Sequence, residues 1–203
     1  MFPFYAILSR MKYINRWGLM RNTRSENIGE HSLDAAILAH ALATLRNTRF
    51  GGNVCPERAA TLALFHDVTE IITGDLPTPV KYYSPAIRQA YRQVEDMAQQ
   101  RLMSLLPDDL RPAYQPLIAQ DGPADAELLP LVKAADKLSA LIKCVEERGM
   151  GNREFLTAEQ TLRQSLAAMQ LAEVDCFLSE FLPCYQLTLD EQDGNRPETD
   201  IPG

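Results

Sequence analysis

The sequence predicts an all-α fold in a single domain. Apolar residues recur at three- and four-residue spacing in one segment after another, and no stretch alternates apolar and polar residues with period two. Most of those segments open on a helix-starting signal. At 203 residues the chain can bury one full core without disulfide or metal staples.

A short first helix is expected over about Tyr5 to Tyr13, carried by Ile7, Leu8 and Met11. A loop from Ile14 to Glu26 follows and holds Arg16, Trp17, Arg21 and Arg24. Asn27, with Glu30 three residues on, is an N-terminal capping pair. It opens a helix through Leu45 whose apolar side is read as Leu33, Ala36, Ile37, Ala41 and Leu45. Phe50-Gly51-Gly52-Asn53 ends it, and Pro56 suits the first turn of a helix running to about Thr73. Gly74-Asp75-Leu76-Pro77-Thr78-Pro79 is expected to be a loop, since its two prolines oppose helix continuation. Ser84-Pro85 starts a long amphipathic helix to about Leu106. Pro107 to Ala126 is turn-rich, with room for one short helix. A helix from about Glu127 to Arg148 stops at Gly149. Thr157 with Gln160 is read as the cap of a last long helix to about Leu182, closed by Pro183. The domain is placed at residues 1–190, with 191–203 a polar, proline-containing and disordered tail.

The net charge of −7 argues against a surface that coats nucleic acid, which needs a basic footprint. It leaves room for a small anion held by a few local arginines. Cys55, Cys144, Cys176 and Cys184 show no C-x-x-C spacing, which fits reduced thiols in a cytoplasmic protein. The N-terminus lacks the pattern of a signal peptide, and no apolar run approaches the ~20 residues of a membrane span.

The chemistry concentrates in His66-Asp67-Val68-Thr69-Glu70. On one helix, Asp67 and Glu70 are three apart and His66 and Glu70 four apart, so they share a face; read alone, this is equally a polar surface stripe. His31 and His40 lie nine residues apart, on opposite faces of one helix, so they cannot both meet one ion. His31 stands in the first turn beside the arginine-bearing loop, and His40 is set aside. Asp136 sits at the edge of an apolar stripe, where it either pairs with Lys133 or Lys137 or meets a cation. His31, His66, Asp67 and Asp136 together form an H…HD…D set of nitrogen and oxygen donors suited to Mn, Fe(II), Co, Ni or Zn. Water bound to such an ion is a nucleophile near neutral pH.

Arg16-Trp17, Glu30-His31-Ser32-Leu33, His66-Asp67, Gly74-Asp75-Leu76-Pro77-Thr78-Pro79-Val80-Lys81 and the Asp136 segment resemble the HD-domain metal-dependent phosphohydrolases. Within that superfamily the chain is most similar to the bacterial 5′-deoxynucleotidases, from about Tyr5 to Glu191. The resemblance implies an HD-domain helical bundle and a homodimer. It implies hydrolysis of deoxyribonucleoside 5′-monophosphates to deoxyribonucleosides and phosphate, by in-line attack of a metal-activated water, with ribonucleotides rejected. It implies one divalent transition ion per subunit, with cobalt effective and manganese and copper also used. The ligands it assigns are His31, His66, Asp67 and Asp136. The substrate residues it assigns are Arg16, Trp17, Asp75, Leu76, Pro77 and Thr78, together with His31, Asp67 and Asp136.

Three residues are read as catalytic. Arg16 orients the phosphate. Glu70 takes the proton of the water, or else orients a ligand histidine. Asp75 binds the 3′-hydroxyl or assists the leaving 5′-oxygen. Trp17, alone a core aromatic, becomes with the resemblance the wall beside C2′. Lys81, Arg21 and Arg24 are secondary charges, the latter two read as solvated. Two other readings compete: an HD-type hydrolase of cyclic or triphosphate nucleotides, and a non-catalytic nucleotide-binding regulator. Triphosphates demand more positive charge than Arg16 and Lys81 supply.

Overall fold

The structure is a computed structural model that describes residues 1–81 and 83–193, the side chain of Thr78 excepted. The described residues are helical throughout; their one β feature is an isolated antiparallel bridge between Asn15 and Asn27. Helices α1 (Phe4–Leu8), α2 (Ile28–Arg49), α3 (Pro56–Phe65), α4 (Glu70–Thr73), α5 (Thr78–Lys81) and α6 (Pro85–Ser104) make up the first half. Helices α7 (Arg111–Ala119), α8 (Leu129–Gly149), α9 (Leu156–Ala167), α10 (Ala172–Glu180) and α11 (Leu189–Gln192) complete it.

The centre is a three-helix unit of α2, α3 and α8, with α9 and α10 laid across α8 and α2. Small residues line the contacts: Ala35, Ala39 and Ala43 on α2, Ala59 and Ala63 on α3, Ala134 and Ala135 on α8. Side chains this short let helix axes approach closely, and Leu42, Leu62, Leu138 and Leu141 fill the space between. A second cluster, Phe4, Val68, Leu102, Met103, Leu106 and Ile118, seals the N-terminus and α6 against the turn after α3.

The capping box forms as expected: Asn27 accepts from the backbone N–H groups of Gly29 and Glu30, and Glu30 returns a bond to Asn27 N. Four expectations are corrected. On α2 the inward face is Ala35, Ala36, Leu38, Ala39, Leu42, Ala43 and Leu45, so Ala36 and Leu45 face inward as expected, while Leu33 and Ile37 are 56% and 60% exposed. The alanines that pack there carry a weak hydropathy signal, so the larger side chains mislead a pattern reading. The helix expected from Pro56 to Thr73 breaks after Phe65, where bonding tightens to residue i−3 through Val68, Glu70, Ile71 and Ile72. Pro79 does not forbid helix: it stands in the first turn of α5, where its missing N–H costs nothing.

The last long helix is two helices. Gln170 takes a left-handed φ of 53° between them, and Thr157 lies inside α9 rather than capping it. Of the tail, Glu191 and Gln192 close α11 behind a Thr188 capping box, and residues 194–203 lie outside the described residues.

Candidate metal centre and nucleotide site

The site lies where the start of α2, the end of α3 and the middle of α8 meet. His31 enters from the first turn of α2 and is fully buried. His66 follows α3, in the tightened turn, with Asp67 beside it. Asp136 comes from α8, 105 residues from His31 in sequence and 3.1 Å away in space, Oδ1 to Nε2.

The donor atoms converge. His31 Nε2 is 3.5 Å from Asp67 Oδ2, and His66 Nε2 is 3.1 Å from the same oxygen. His66 Nε2 lies 3.9 Å from Asp136 Oδ1. Ligand atoms about 2.1 Å from one ion stand about 3 Å apart at right angles, so these separations suit one first-row divalent cation. His31, His66 and Asp67 form a mutually close set, and Asp136 joins on the His31 side.

The His66 imidazole is held in the tautomer a metal needs. His66 Nδ1 is 2.6 Å from the Ala63 carbonyl, which can only accept, so the proton sits on Nδ1. That leaves His66 Nε2 buried with no hydrogen-bond partner, an orphan that a cation would satisfy. His31 Nδ1 lies 3.0 Å from Ser139 Oγ, which leaves its Nε2 to the cluster. Burial works against a charged His66, but Asp67 and Asp136 outweigh it and lift its pKa well above the usual imidazole range. Burial likewise works to raise Asp136, and the imidazoles of His31 and His66 facing it overcome that, holding it well below the carboxylate range. This field favours positive charge, and a cation entering it competes with the Nε2 proton of His66. The residues present therefore fit a divalent ion.

Arg16 borders the cluster, with side-chain exposure of 13%. Its Nη1 is 3.6 Å from Asp67 Oδ2 and its Nε 3.7 Å from Glu26 Oε2. Nε is buried and unpartnered, so the guanidinium is placed by charge with N–H groups left to give. Trp17, half-buried, donates from Nε1 to Glu26 Oε2 at 2.8 Å and packs edge-on against Phe155, centroids 5.3 Å apart. Its backbone is left-handed, φ 59°, a conformation that costs a bulky residue energy and persists only under constraint. Its carbonyl accepts from Met20 N at 2.9 Å, closing the turn that holds it.

The loop carrying Arg16 and Trp17 is pinned at both ends and in the middle. Arg16 N donates to Glu26 O and Ile28 N to Ile14 O, both 2.9 Å. Glu147 on α8, fully buried, accepts from Thr23 N and Oγ1 at 2.9 and 2.7 Å and from Asn152 Nδ2 at 2.8 Å, and pairs with Lys143. Burial works against its charge, but Lys143 and these donors prevail and hold it down at about 2.

Glu70 opens α4, and among the described residues its carboxylate makes no hydrogen bond. Burial first, then the charges of Asp67 and Asp75, push it up to about 8 against the pull of Arg16 and Lys81. Glu70 therefore feels the charges of both Asp67 and Asp75. Gly74 ends α4 with φ 72°, and its N–H bonds Glu70 O at 2.8 Å; few other residues take that turn without strain. Asp75, Leu76 and Pro77 are half-buried, and the side chain of Thr78 lies outside the described residues.

The other candidates stand apart. Lys81 pairs with Glu95 at 2.8 Å and covers the Tyr91 ring. Arg21 and Arg24 are exposed and pair with Glu154 and Glu30. His40 is exposed on the far face of α2. Two participants escaped the sequence reading. Ser139 stands three residues after Asp136, so helical periodicity places it on the same face. Glu26, at the loop's end, carried no local signal.

A family model described as 5′-deoxynucleotidase YfbR-like matches residues 3–185. A 5′-deoxynucleotidase of Erwinia tasmaniensis is 52% identical over 188 residues, covering 93% of this chain and 94% of that one. The 5′-deoxynucleotidase YfbR of Escherichia coli is 50% identical over 194 residues, covering 96% and 97%. Among solved structures, an HD-domain phosphohydrolase of Listeria innocua aligns with TM-score 0.74 at 24% identity, covering 90% of this chain and 87% of that chain. The cyanophage S-2L HD phosphohydrolase DatZ, bound to dA and one catalytic zinc ion, aligns with TM-score 0.61 at 21% identity, covering 89% and 95%. These two structures share the helical fold. With a match over nearly its whole length and half of its residues identical to the relatives', the chain belongs to the YfbR-like 5′-deoxynucleotidase family.

Proposed function

We propose that this protein is a metal-dependent 5′-deoxynucleotidase, a phosphoric monoester hydrolase acting on deoxyribonucleoside 5′-monophosphates. One observation carries the reading: Arg16, a buried cation with an unpartnered N–H, stands against a two-histidine, two-carboxylate cluster whose His66 Nε2 is itself unpartnered. A single phosphate suits that space, since its oxygens satisfy both the arginine and an ion held by His31, His66, Asp67 and Asp136. When bound, a divalent transition ion supplies Lewis-acid charge at the phosphoryl group and lowers the pKa of water.

The chain's own groups do the rest. Arg16 aligns the phosphate oxygens and balances charge in a loose transition state. Glu70, whose carboxylate makes no hydrogen bond among the described residues, receives the proton of the attacking water. Asp75, behind the Gly74 turn, meets the 3′-hydroxyl or the leaving 5′-oxygen, with Leu76 and Pro77 completing that wall. Trp17 closes the space beside C2′, where a ribose hydroxyl meets an apolar ring and no partner. Lys81 is engaged by Glu95, which leaves too little positive charge for a triphosphate tail.

The working assembly is a cytoplasmic homodimer with one ion per subunit, cobalt and manganese being the first candidates; these rest on likeness to the family. Neither the membrane nor a nucleic-acid polymer enters, and no helix among the described residues is long and apolar enough to cross a membrane.

The test is a metal-by-substrate matrix. After chelation, each divalent ion is restored in turn, and phosphate release is measured from deoxy- and ribonucleoside 5′-monophosphates, triphosphates and cyclic nucleotides. Release confined to deoxyribonucleoside monophosphates, and dependent on the ion, is expected. Preference for triphosphate or cyclic substrates would replace the substrate assignment. No release with any ion would return the protein to the class of nucleotide-binding regulators.

A further inference from the structure

We propose that Glu26 is the positioning residue that sets deoxy-over-ribo selectivity in this site, by holding the Trp17 indole while aligning the Arg16 guanidinium. The inference rests on reading Trp17 as the wall beside the sugar.

A single carboxylate, 12% exposed, serves three groups of different function. Its Oε2 accepts from Trp17 Nε1 at 2.8 Å and faces Arg16 Nε at 3.7 Å, and its Oε1 faces His31 Nδ1 at 3.9 Å. Arg16 and Trp17 are adjacent in sequence, and the left-handed turn at Trp17 throws their side chains into a relation that no regular element maintains. Glu26 reaches both from across the Asn15–Asn27 bridge, and its carbonyl accepts from Arg16 N at 2.9 Å. Backbone and side chain of one residue thus fix the register of the loop and the direction of the ring. An indole carries one polar handle, and here Glu26 holds it. Steric rejection of a hydroxyl needs a wall that does not yield, so the tether matters more to the ribonucleotide than to the deoxyribonucleotide. His31 Nδ1 keeps its nearer contact with Ser139 at 3.0 Å, so metal loading does not depend on Glu26.

The variants separate the two tasks of the carboxylate. Glu26→Gln retains an acceptor for the indole but removes the charge facing Arg16. Glu26→Asp retains the charge but withdraws it by one methylene from the indole. Glu26→Ala removes both. Trp17 is the only tryptophan, so its emission reports the indole environment with no substrate present.

Wild type, the three variants and Trp17→Ala are loaded with the same divalent ion and assayed for kcat and KM on 5′-dAMP and 5′-AMP. Emission maxima, acrylamide quenching and metal content are measured alongside. In Glu26→Ala and Glu26→Asp the deoxy-to-ribo ratio of kcat/KM should fall by about tenfold, with stronger quenching of Trp17 and unchanged metal content. In Glu26→Gln the ratio should stay within about twofold of wild type while kcat falls for both substrates. A ratio unchanged in Glu26→Ala and Glu26→Asp but lost in Trp17→Ala overturns the inference. So does Glu26→Gln losing selectivity as fully as Glu26→Ala. An unchanged ratio in Trp17→Ala locates the failure in the wall reading itself, and the inference falls with it. If Glu26→Ala does not fold, Glu26→Asp carries the same comparison.

Discussion

Arg16 is held by two carboxylates, Asp67 and Glu26, at distances too long for hydrogen bonds. A guanidinium so placed is directed by field rather than locked by acceptors, and its N–H groups remain to donate to an anion. Arg16→Ala should lower kcat by about a hundredfold or more while metal content stays constant; equal turnover would remove its role. Glu70 makes the complementary case. Its carboxyl is pushed up to about 8 by burial, Asp67 and Asp75, and a bound cation works in the opposite direction. A base must be ionised to act, so kcat/KM should rise with pH along an acid limb whose midpoint lies at or below 8. Glu70→Gln should bind metal and substrate, lose about a thousandfold in kcat, and flatten that limb. A limb that survives the substitution assigns it to another group.

Neither residue's environment was readable in advance. Arg16 and Glu70 were named from motif and spacing. The geometry behind Glu70 was a single continuous helix, which the tightened turn at His66–Thr69 replaces. That turn spends the Ala63 carbonyl on the His66 ring, which is what directs Nε2 at the cluster.

At the scale of elements, the loop carrying Arg16 and Trp17 depends on the far end of α8, the same helix that brings Asp136 to the cluster. Glu147 of α8 gathers Thr23, Asn152 and Lys143 and so fixes the segment that carries Arg16 and Trp17. Its pKa is depressed to about 2 in the folded protein, below its ordinary value. The unfolded chain therefore takes up the proton first as pH falls. The stabilisation is fully present above about pH 4.5 and is lost between there and about 2, amounting to about 3 kcal/mol. The stability gap between wild type and Glu147→Gln, from denaturant unfolding, should be full at pH 6 and shrink as pH falls through that window. A pH-independent gap would mean that packing, not charge, holds the loop. No sequence pattern ties Glu147 to the loop, because Thr23 lies 124 residues away, while Lys143 and Asn152 are near it in the chain. Patterns do mark the capping box of α2, a local device with local causes. The face of α2 was misread because its inward residues are mostly alanines, whose value lies in letting α3 and α8 come close.

At the scale of the whole molecule, four donors from two helices and the turn after a third are brought together by packing alone. Folding thus builds a site that the unfolded chain lacks, and a cation bound there must stabilise the fold. At about a hundred times its Kd the ion should add about 2.7 kcal/mol. Chelation should lower Tm by about 5 °C or more, restored by the ion in wild type and not in His66→Ala. No change in Tm on chelation would argue against a cation held by this cluster.

The sequence alone determined the helical class, the caps, the candidate donors and the resemblance to a hydrolase family, because these follow from short-range periodicity and motif. It left open whether His31 and Asp136, or Glu26 and Trp17, ever meet. Only the tertiary structure decided that, since side chains far apart along the chain are joined by nothing local, and their convergence comes from the close packing of α2, α3 and α8.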